Sequence, residues 1–322
     1  MKVVTPITIT TNEYIAESDP SLLPGYDNSA DYAEWNIATP YTVGQRVIVA
    51  ALFSQFECVA NDTGTAPTLT GVTPWIRVGA TNAWKLFDGA ANSPTVGYTS
   101  GPAGNFTYHM SFYLWKLGRF DTVCVLNTSA SRVSVLFTTD NFATIDYTRE
   151  IVAVDTTPII DAWTYCFEEC NVQKDFLFDG IDGWGSTTDQ VLLISVVNDE
   201  ETITVTTGEV VIGQSREIGT AKADPTQRLV DYSRKDFDAF GNVVFVERAY
   251  SYQTTFEVKI DPIRKNIVKG MIEQLRATAA VYYPTADDAN NGLIAYGFPT
   301  DFEITYSTPD YAYATLQIEG LI

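Results

Sequence analysis

The sequence predicts a mainly β protein that carries one α-helix near its C-terminal end. Three observations support this. Apolar and polar residues alternate with period two along much of the chain. The composition is rich in strand-forming aromatics, with 18 Tyr, 17 Phe and 6 Trp among 322 residues. Only one segment has clear helical spacing. The expected layout is an N-terminal arm over 1–30, a small aromatic β module over 31–90, a β-sandwich-like domain over 91–215 and an α+β assembly domain over 216–322. The last boundary falls in the uncertain stretch 207–225.

The first strand signal is Val3-Val4-Thr5-Pro6-Ile7-Thr8-Ile9-Thr10, followed by a polar stretch from Glu17 to Ala30. In the module, Trp35 and Tyr41 precede Gly44 and a short strand at Val47. Phe56-Glu57-Cys58-Val59-Ala60-Asn61 reads as a second strand, and Pro74-Trp75 closes the block. Arg132 to Phe137 and Thr202 to Thr206 alternate again. Val191 to Val197 is apolar almost throughout, which predicts a strand buried on both faces. Asp231 to Asn242 reads as a polar loop, because Ser233, Asp236, Asp238 and Gly241-Asn242 form turns while Phe237 and Phe240 anchor it. It suits either a plain surface loop or a contact between subunits. The helix is expected over about 262–278. Asp261 supplies an N-cap and Pro262 takes the first helical position. Ile263, Ile267, Val268, Met271, Ile272 and Leu275 then follow helical spacing, and Ile263, Ile267, Met271 and Leu275 are expected to pack on a sheet. Gly270 within the helix costs about 1 kcal/mol relative to Ala.

Charge narrows the range of partners. The chain holds 20 basic and 40 acidic residues, a net of −20. Such a balance argues against a phosphate-binding surface, hence against nucleic acid, and against an anionic membrane surface. No apolar run approaches the roughly 18 residues of a membrane-spanning helix, and Lys2 is not followed by the apolar core of a signal peptide. Synthesis in a cytoplasm is expected. The charge is also uneven. Residues 215–276 hold 11 basic against 9 acidic, residues 1–214 hold 9 against 25, and residues 277–322 hold none against 6. Complementary faces between copies of the chain would use this distribution, and a solvated helix face would produce it too.

Catalytic footholds are few. His109 is the only histidine, and no G-x-S-x-G elbow accompanies it. Cys166 and Cys170 would need two further ligands, from Cys58, Cys124, His109 or a carboxylate, to hold zinc. All four cysteines are expected to be reduced and mostly buried. The acidic, glycine-rich segment Asp179 to Gly185 lacks the spacing of an EF-hand. With 40 acidic residues, chance carboxylate pairs are inevitable, and nothing selects one for glycoside hydrolysis. No P-loop or dinucleotide fingerprint is present. The sequence therefore predicts no catalytic, cofactor-binding or metal-ligating residue, and a protein that is not an enzyme.

Two resemblances point further. Trp35, then Tyr41-Thr42-Val43-Gly44-Gln45-Arg46-Val47, then Phe56-Glu57-Cys58, then Trp75 resembles the small chitin- and cellulose-binding modules of bacterial chitinases, with Phe56 where that family often has Tyr. The resemblance implies glycan or protein contact through Trp35, Tyr41 and Trp75, provided their rings are exposed. The same aromatics would equally build the core of a tiny domain. Gly79-Ala80-Thr81-Asn82-Ala83-Trp84-Lys85-Leu86-Phe87-Asp88 and Asp231 to Asn242 resemble tail-associated structural proteins of tailed bacteriophages. So does the terminal strand ending Leu316-Gln317-Ile318-Glu319-Gly320-Leu321-Ile322. That resemblance implies a virion tail, tail-tip or baseplate component that forms a ring of copies and binds other tail proteins, with the N-terminal arm adding to a neighbour's sheet. Adhesion to a host-surface glycan is the competing expectation.

Overall fold

The computed structural model describes residues 1–10, 13, 31–97, 110–153, 160–161, 163, 172–183, 190–198, 204–222, 225–237, 242–248, 250–285, 292–305 and 311–321. Among the described residues it is mainly β with one continuous α-helix, as the sequence predicts. In chain order the strands are β1 (Lys2–Pro6), β2 (Arg46–Val49), β3 (Ser54–Cys58), β4 (Trp75–Ala80), β5 (Thr95–Val96), β6 (Met110–Trp115), β7 (Thr122–Thr128), β8 (Arg132–Thr138), β9 (Tyr147–Val152) and β10 (Phe176–Phe178). Then come β11 (Val191–Val197), β12 (Thr206–Glu217), β13 (Thr220–Ala221), β14 (Thr226–Asp231), β15 (Arg234–Phe237), β16 (Val243–Val246) and β17 (Tyr250–Ile260). The helix α1 (Lys265–Gln274) leads to β18 (Ala280–Tyr283), β19 (Ala295–Thr305) and β20 (Ala312–Gly320).

One large sheet dominates. Its strands run in the order β10-β7-β12-β1-β18-β19-β20-β17, with β13 and β14 sharing the outer edge of β17 and β5 added to β12. A second sheet, β6-β11-β8-β9, lies against it. Met110, Phe112 and Leu114 of β6, Val133, Val135 and Phe137 of β8, and Leu192, Ile194 and Val196 of β11 share one buried cluster with Val123, Val125, Phe176, Phe178, Val210 and Ile212 of the large sheet. This is the expected sandwich, and β11 is its expected fully buried strand. The odd and even residues of β7 face two different cores, since Cys124 and Leu126 join Val4, Val211 and Val281 in another cluster. Burial raises the Cys124 thiol far above its usual range, so it packs as an inert apolar group.

The N-terminal strand differs from its expected role. β1 is hydrogen-bonded on both sides, to β12 from Lys2↔Glu217 through Pro6↔Gly213 and to β18 from Lys2↔Tyr283 through Val4↔Val281. Lys2 to Val4 therefore have no free edge to donate to a neighbour, while residues 11, 12 and 14–30 of the expected arm lie outside the described residues. β12 runs unbroken through residue 215, so the boundary expected there lies inside a strand of this sheet. Gly213 of β12 permits the close approach of β1, because a Cβ there would come within 2.1 Å of the Thr5 carbonyl oxygen. Pro299, which cannot donate to a ladder, sits at the irregularity between Pro299 and Asp301 in β19.

The helix is shorter than expected. Asp261 accepts a hydrogen bond from the Ile263 amide at 3.0 Å, as an N-cap should. Pro262–Arg264 form a 3-10 turn, and regular α-helix begins only at Lys265. The buried face is rotated from the expected one. Val268, Met271, Ile272 and Leu275 pack with Phe256, Val258, Tyr282, Ala314 and Leu316, whereas Ile263 and Ile267 are 86% and 64% exposed. The tight turn before Lys265 shifts the phase, so residues counted from Pro262 at 3.6 per turn miss the sheet.

An acidic residue lies inside the sheet. Glu209 of β12 is buried, and the Gly89 amide donates to its Oε2 at 3.0 Å. Burial, followed by the neighbouring Asp88 carboxylate, pushes its pKa up to about 9, so it is protonated at neutral pH. Raised acids favour the folded state at low pH, and this contribution is lost between the unfolded value near 4.5 and the folded value near 9. Glu209→Gln should therefore remove a stability loss of about 1.4 kcal/mol per pH unit in that window. Chemical denaturation of both proteins from pH 5 to pH 9 checks this, and parallel curves would refute it. For the helix, Met271→Asp should cost several kcal/mol, because it buries an unpaired carboxylate, while Ile267→Asp should change stability by less than about 0.5 kcal/mol. Thermal melts of the two variants separate these outcomes.

Candidate interaction surface

The aromatic module is an antiparallel three-stranded sheet, β2-β3-β4. Tyr41, Val47, Phe56, Cys58 and Trp75 form its core, with Trp35, Val49 and Leu52 packed against it. Tyr41 and Trp75 meet edge to face, with ring centroids 5.1 Å apart at 75°. Their polar tips are also bound internally. The Tyr41 hydroxyl accepts the Asn36 amide at 2.8 Å, and Trp75 Nε1 donates to the Thr65 carbonyl at 2.9 Å. The structure thus brings Trp35, Tyr41 and Trp75 together as a cluster rather than as an exposed row. Tyr41 and Trp75 are buried, and only Trp35 keeps a partly open position. A sugar face has no stacking platform on the two buried rings.

The segment after the module is a latch. Asn82 is fully buried, and its side-chain amide imitates a strand by donating to the Val96 carbonyl at 2.8 Å and accepting the Val96 amide at 2.9 Å. Its main chain receives Thr95 Oγ1 on the carbonyl, and its amide donates to Asp31 Oδ1 at 2.8 Å. The Trp84 ring stacks near Phe53 at 4.6 Å. These residues hold the module to the sandwich, and the Thr81 hydroxyl beside them is buried without a hydrogen-bond partner among the described residues.

Other sites raised by the sequence have structural roles or lie outside the described residues. Asp179 pairs with Lys2 at 3.7 Å and Arg149 at 3.8 Å, Gly180 takes a positive φ of 75°, and Ile181 is buried. Among the described residues, no group of three or more His, Cys, Asp or Glu side chains is arranged to hold a metal. Cys58 and Cys124 are free thiols and buried. His109, Cys166 and Cys170 lie outside the described residues. No described helix is long and apolar enough to cross a membrane.

Exposed apolar side chains occur on the module, among them Val72 and Ile76, and on a second element further along the chain. Asp231 to Phe237 is not a loop, because β14 and β15 continue one another, β16 and β17 return, and together they form a long hairpin. Asp231↔Tyr250 ends the β14–β17 ladder and Arg234↔Val246 opens the β15–β16 ladder, so Tyr232 and Ser233 on one side and Glu247 and Arg248 on the other lie between the two ladders. Asp231 Oδ1 accepts the Ser233 amide at 2.8 Å, and Ser233 Oγ accepts the Arg248 amide at 3.0 Å, which fixes the bend. Beyond it, none of the hydrophobic clusters includes a residue of β15 or β16. Phe237 is 66% and Phe245 76% exposed, and Leu229, Tyr232, Val243, Val244, Val246, Tyr250 and Tyr252 are also open. The sequence reading missed this arm because its turn formers are read as loop. The apolar run Val243-Val244-Phe245-Val246 was the available signal.

A second exposed feature lies beside α1. Ser215, Arg216, Glu217, Arg264, Ile267 and Met271 contribute to a shallow groove of about 490 Å³. Arg264 donates to Glu217 Oε2 at 2.6 Å and holds that carboxyl below its usual range.

No protein-family model, no curated protein and no solved structure matches this chain. The functional argument therefore rests on the surface itself. Trp75→Ala should cost about 3–5 kcal/mol by emptying the module's core, with the loss visible as weakened amide protection in residues 41–80. Unchanged protection there would show that the ring is not part of that core.

Proposed function

We propose that this chain is a structural, non-enzymatic component of a bacteriophage virion, built into the tail, its tip or its baseplate, and that it acts by symmetric protein–protein assembly. The observation that carries the assembly reading is the hairpin β15–β16. A two-stranded ribbon alone is marginally stable in water, and one bearing exposed Phe237 and Phe245 gains from being covered. Virion placement is supported by the tail-protein resemblance of residues 79–88, 231–242 and 316–322. Glycan adhesion draws less support, since Tyr41 and Trp75 lie within the module's own core.

Mass spectrometry of purified particles should find the chain in several copies. A reconstruction of the particle should show a like-chain interface above about 1,000 Å². Absence from the particle would refute the virion role. A single copy without such an interface would refute symmetric assembly.

A further inference from the structure

We infer that the arm formed by β14, β15 and β16 is the element by which one copy of this chain grips the next, an assignment that rests on the assembly reading above and names its contact. Cross-strand pairing sorts the arm's two faces. Lys235 pairs with Phe245 and Phe237 with Val243, so these four side chains share one face. Arg234 pairs with Val246 and Asp236 with Val244 on the other. On that second face the charges neutralise each other, with Arg234 Nε donating to Asp236 Oδ2 at 2.9 Å. The Phe face retains one cation. Lys235 Nζ lies 5.3 Å from the Phe237 ring centroid, and no carboxylate pairs with it among the described residues.

The occupant is a second copy of the chain, and charge is the reason. Outside residues 215–276 the chain carries 9 basic against 31 acidic residues, so two copies repel over most approaches. The region 226–276 is the exception, with residues 226–248 holding four basic and four acidic residues and 249–276 five against three, and within it the arm joins relief from repulsion to exposed rings whose β15–β16 ladder face carries Lys235 as its one charged residue. An apolar, cationic face of this kind fits the acidic body of a neighbour. The amount of surface agrees. Counted over both faces, the nine exposed apolar side chains of the arm and its base offer on the order of 900 Å², so a neighbour that covers the Phe face and wraps the arm's edge approaches the roughly 800 Å² that each partner gives to a standard interface. The arm on one copy and the body on the next are different patches, so the contact is head to tail, and it gives a ring where the rotation between copies closes and a filament where it does not.

The test is sedimentation equilibrium of the full chain from low micromolar to about 200 µM, a range that detects dissociation constants down to modest affinities. The wild type should self-associate. Phe237→Ser combined with Phe245→Ser should weaken association at least tenfold, and Lys235→Glu several-fold. Ile267→Ser, on the exposed face of α1, should leave it unchanged. Lys235→Glu removes no apolar contact from a core, so it reports on docking even if the double variant folds poorly. A wild type that stays monomeric throughout, or association indifferent to all the arm variants, would overturn the assignment. Either result leaves the virion role standing, since that role fails only if the chain is missing from particles.

Discussion

The pairing of β1 between β12 and β18 is the constraint on which the rest of the architecture depends. Without it, β10, β7 and β12 would form one sheet and β18, β19, β20 and β17 another, for no other strand among the described residues joins them. Val3 and Val4 are both fully buried and point to opposite faces. Val3 enters the core beneath α1, and Val4 enters the core beside Cys124 and Tyr296. Each residue of this short strand therefore ties two sequence-distant segments together. Such non-local pairing brings a loop-closure cost that must be met before the contacts reward it, so this sheet is expected to form late and cooperatively.

Polar residues complete what β1 begins. Asn82 supplies donor and acceptor to Val96 where the chain leaves the module, and so lets a bend behave like a strand. Glu209 is a different case. It is paired with a single amide and sits near Asp88, so burial is tolerated only in its neutral form. Asn82 fixes the junction to Thr95 and Val96 of β5, and Glu209 fixes the turn Asp88 to Ala90 onto β12. The module's position is therefore set by these hydrogen bonds together with Ala83 and Leu86, which enter the sandwich core.

Much of the fold was legible because binary alternation reports burial directly. β8 reads as alternation and is buried on alternate residues, and β11 reads as a continuous apolar run and is central. Helix phase was not legible, since Ile263 and Ile267 obey the period but precede the regular helix or lie on its open side. The fate of β1 was hidden as well, because an alternating strand looks the same whether its edges are free or paired. For the module, the sequence singles out Trp35, Tyr41 and Trp75 as contact residues, and the fold places all three in or against one core. Residue type alone could not distinguish a stacking face from a core, and only the internal partners of Tyr41 and Trp75 decide it. The arm was obscured for the opposite reason. Asp231, Ser233 and Asp236 are turn formers by propensity, yet strand pairing with Val243 to Val246 overrides that preference.

The arm and the body thus answer to different requirements. The cores draw on β1, the sandwich and α1, and none of them uses Phe237 or Phe245. Substitution of those two rings leaves every buried cluster intact. Exposed aromatics at such positions contribute nothing to the stability of the isolated chain and add a risk of non-specific association. A net charge of −20 offsets that risk by holding copies apart until the arm of one meets a matching surface of the next. Strong acidity and an apolar arm are therefore two parts of one arrangement. The first suppresses random encounters, and the second supplies the single approach along which repulsion is relieved and apolar surface is buried together.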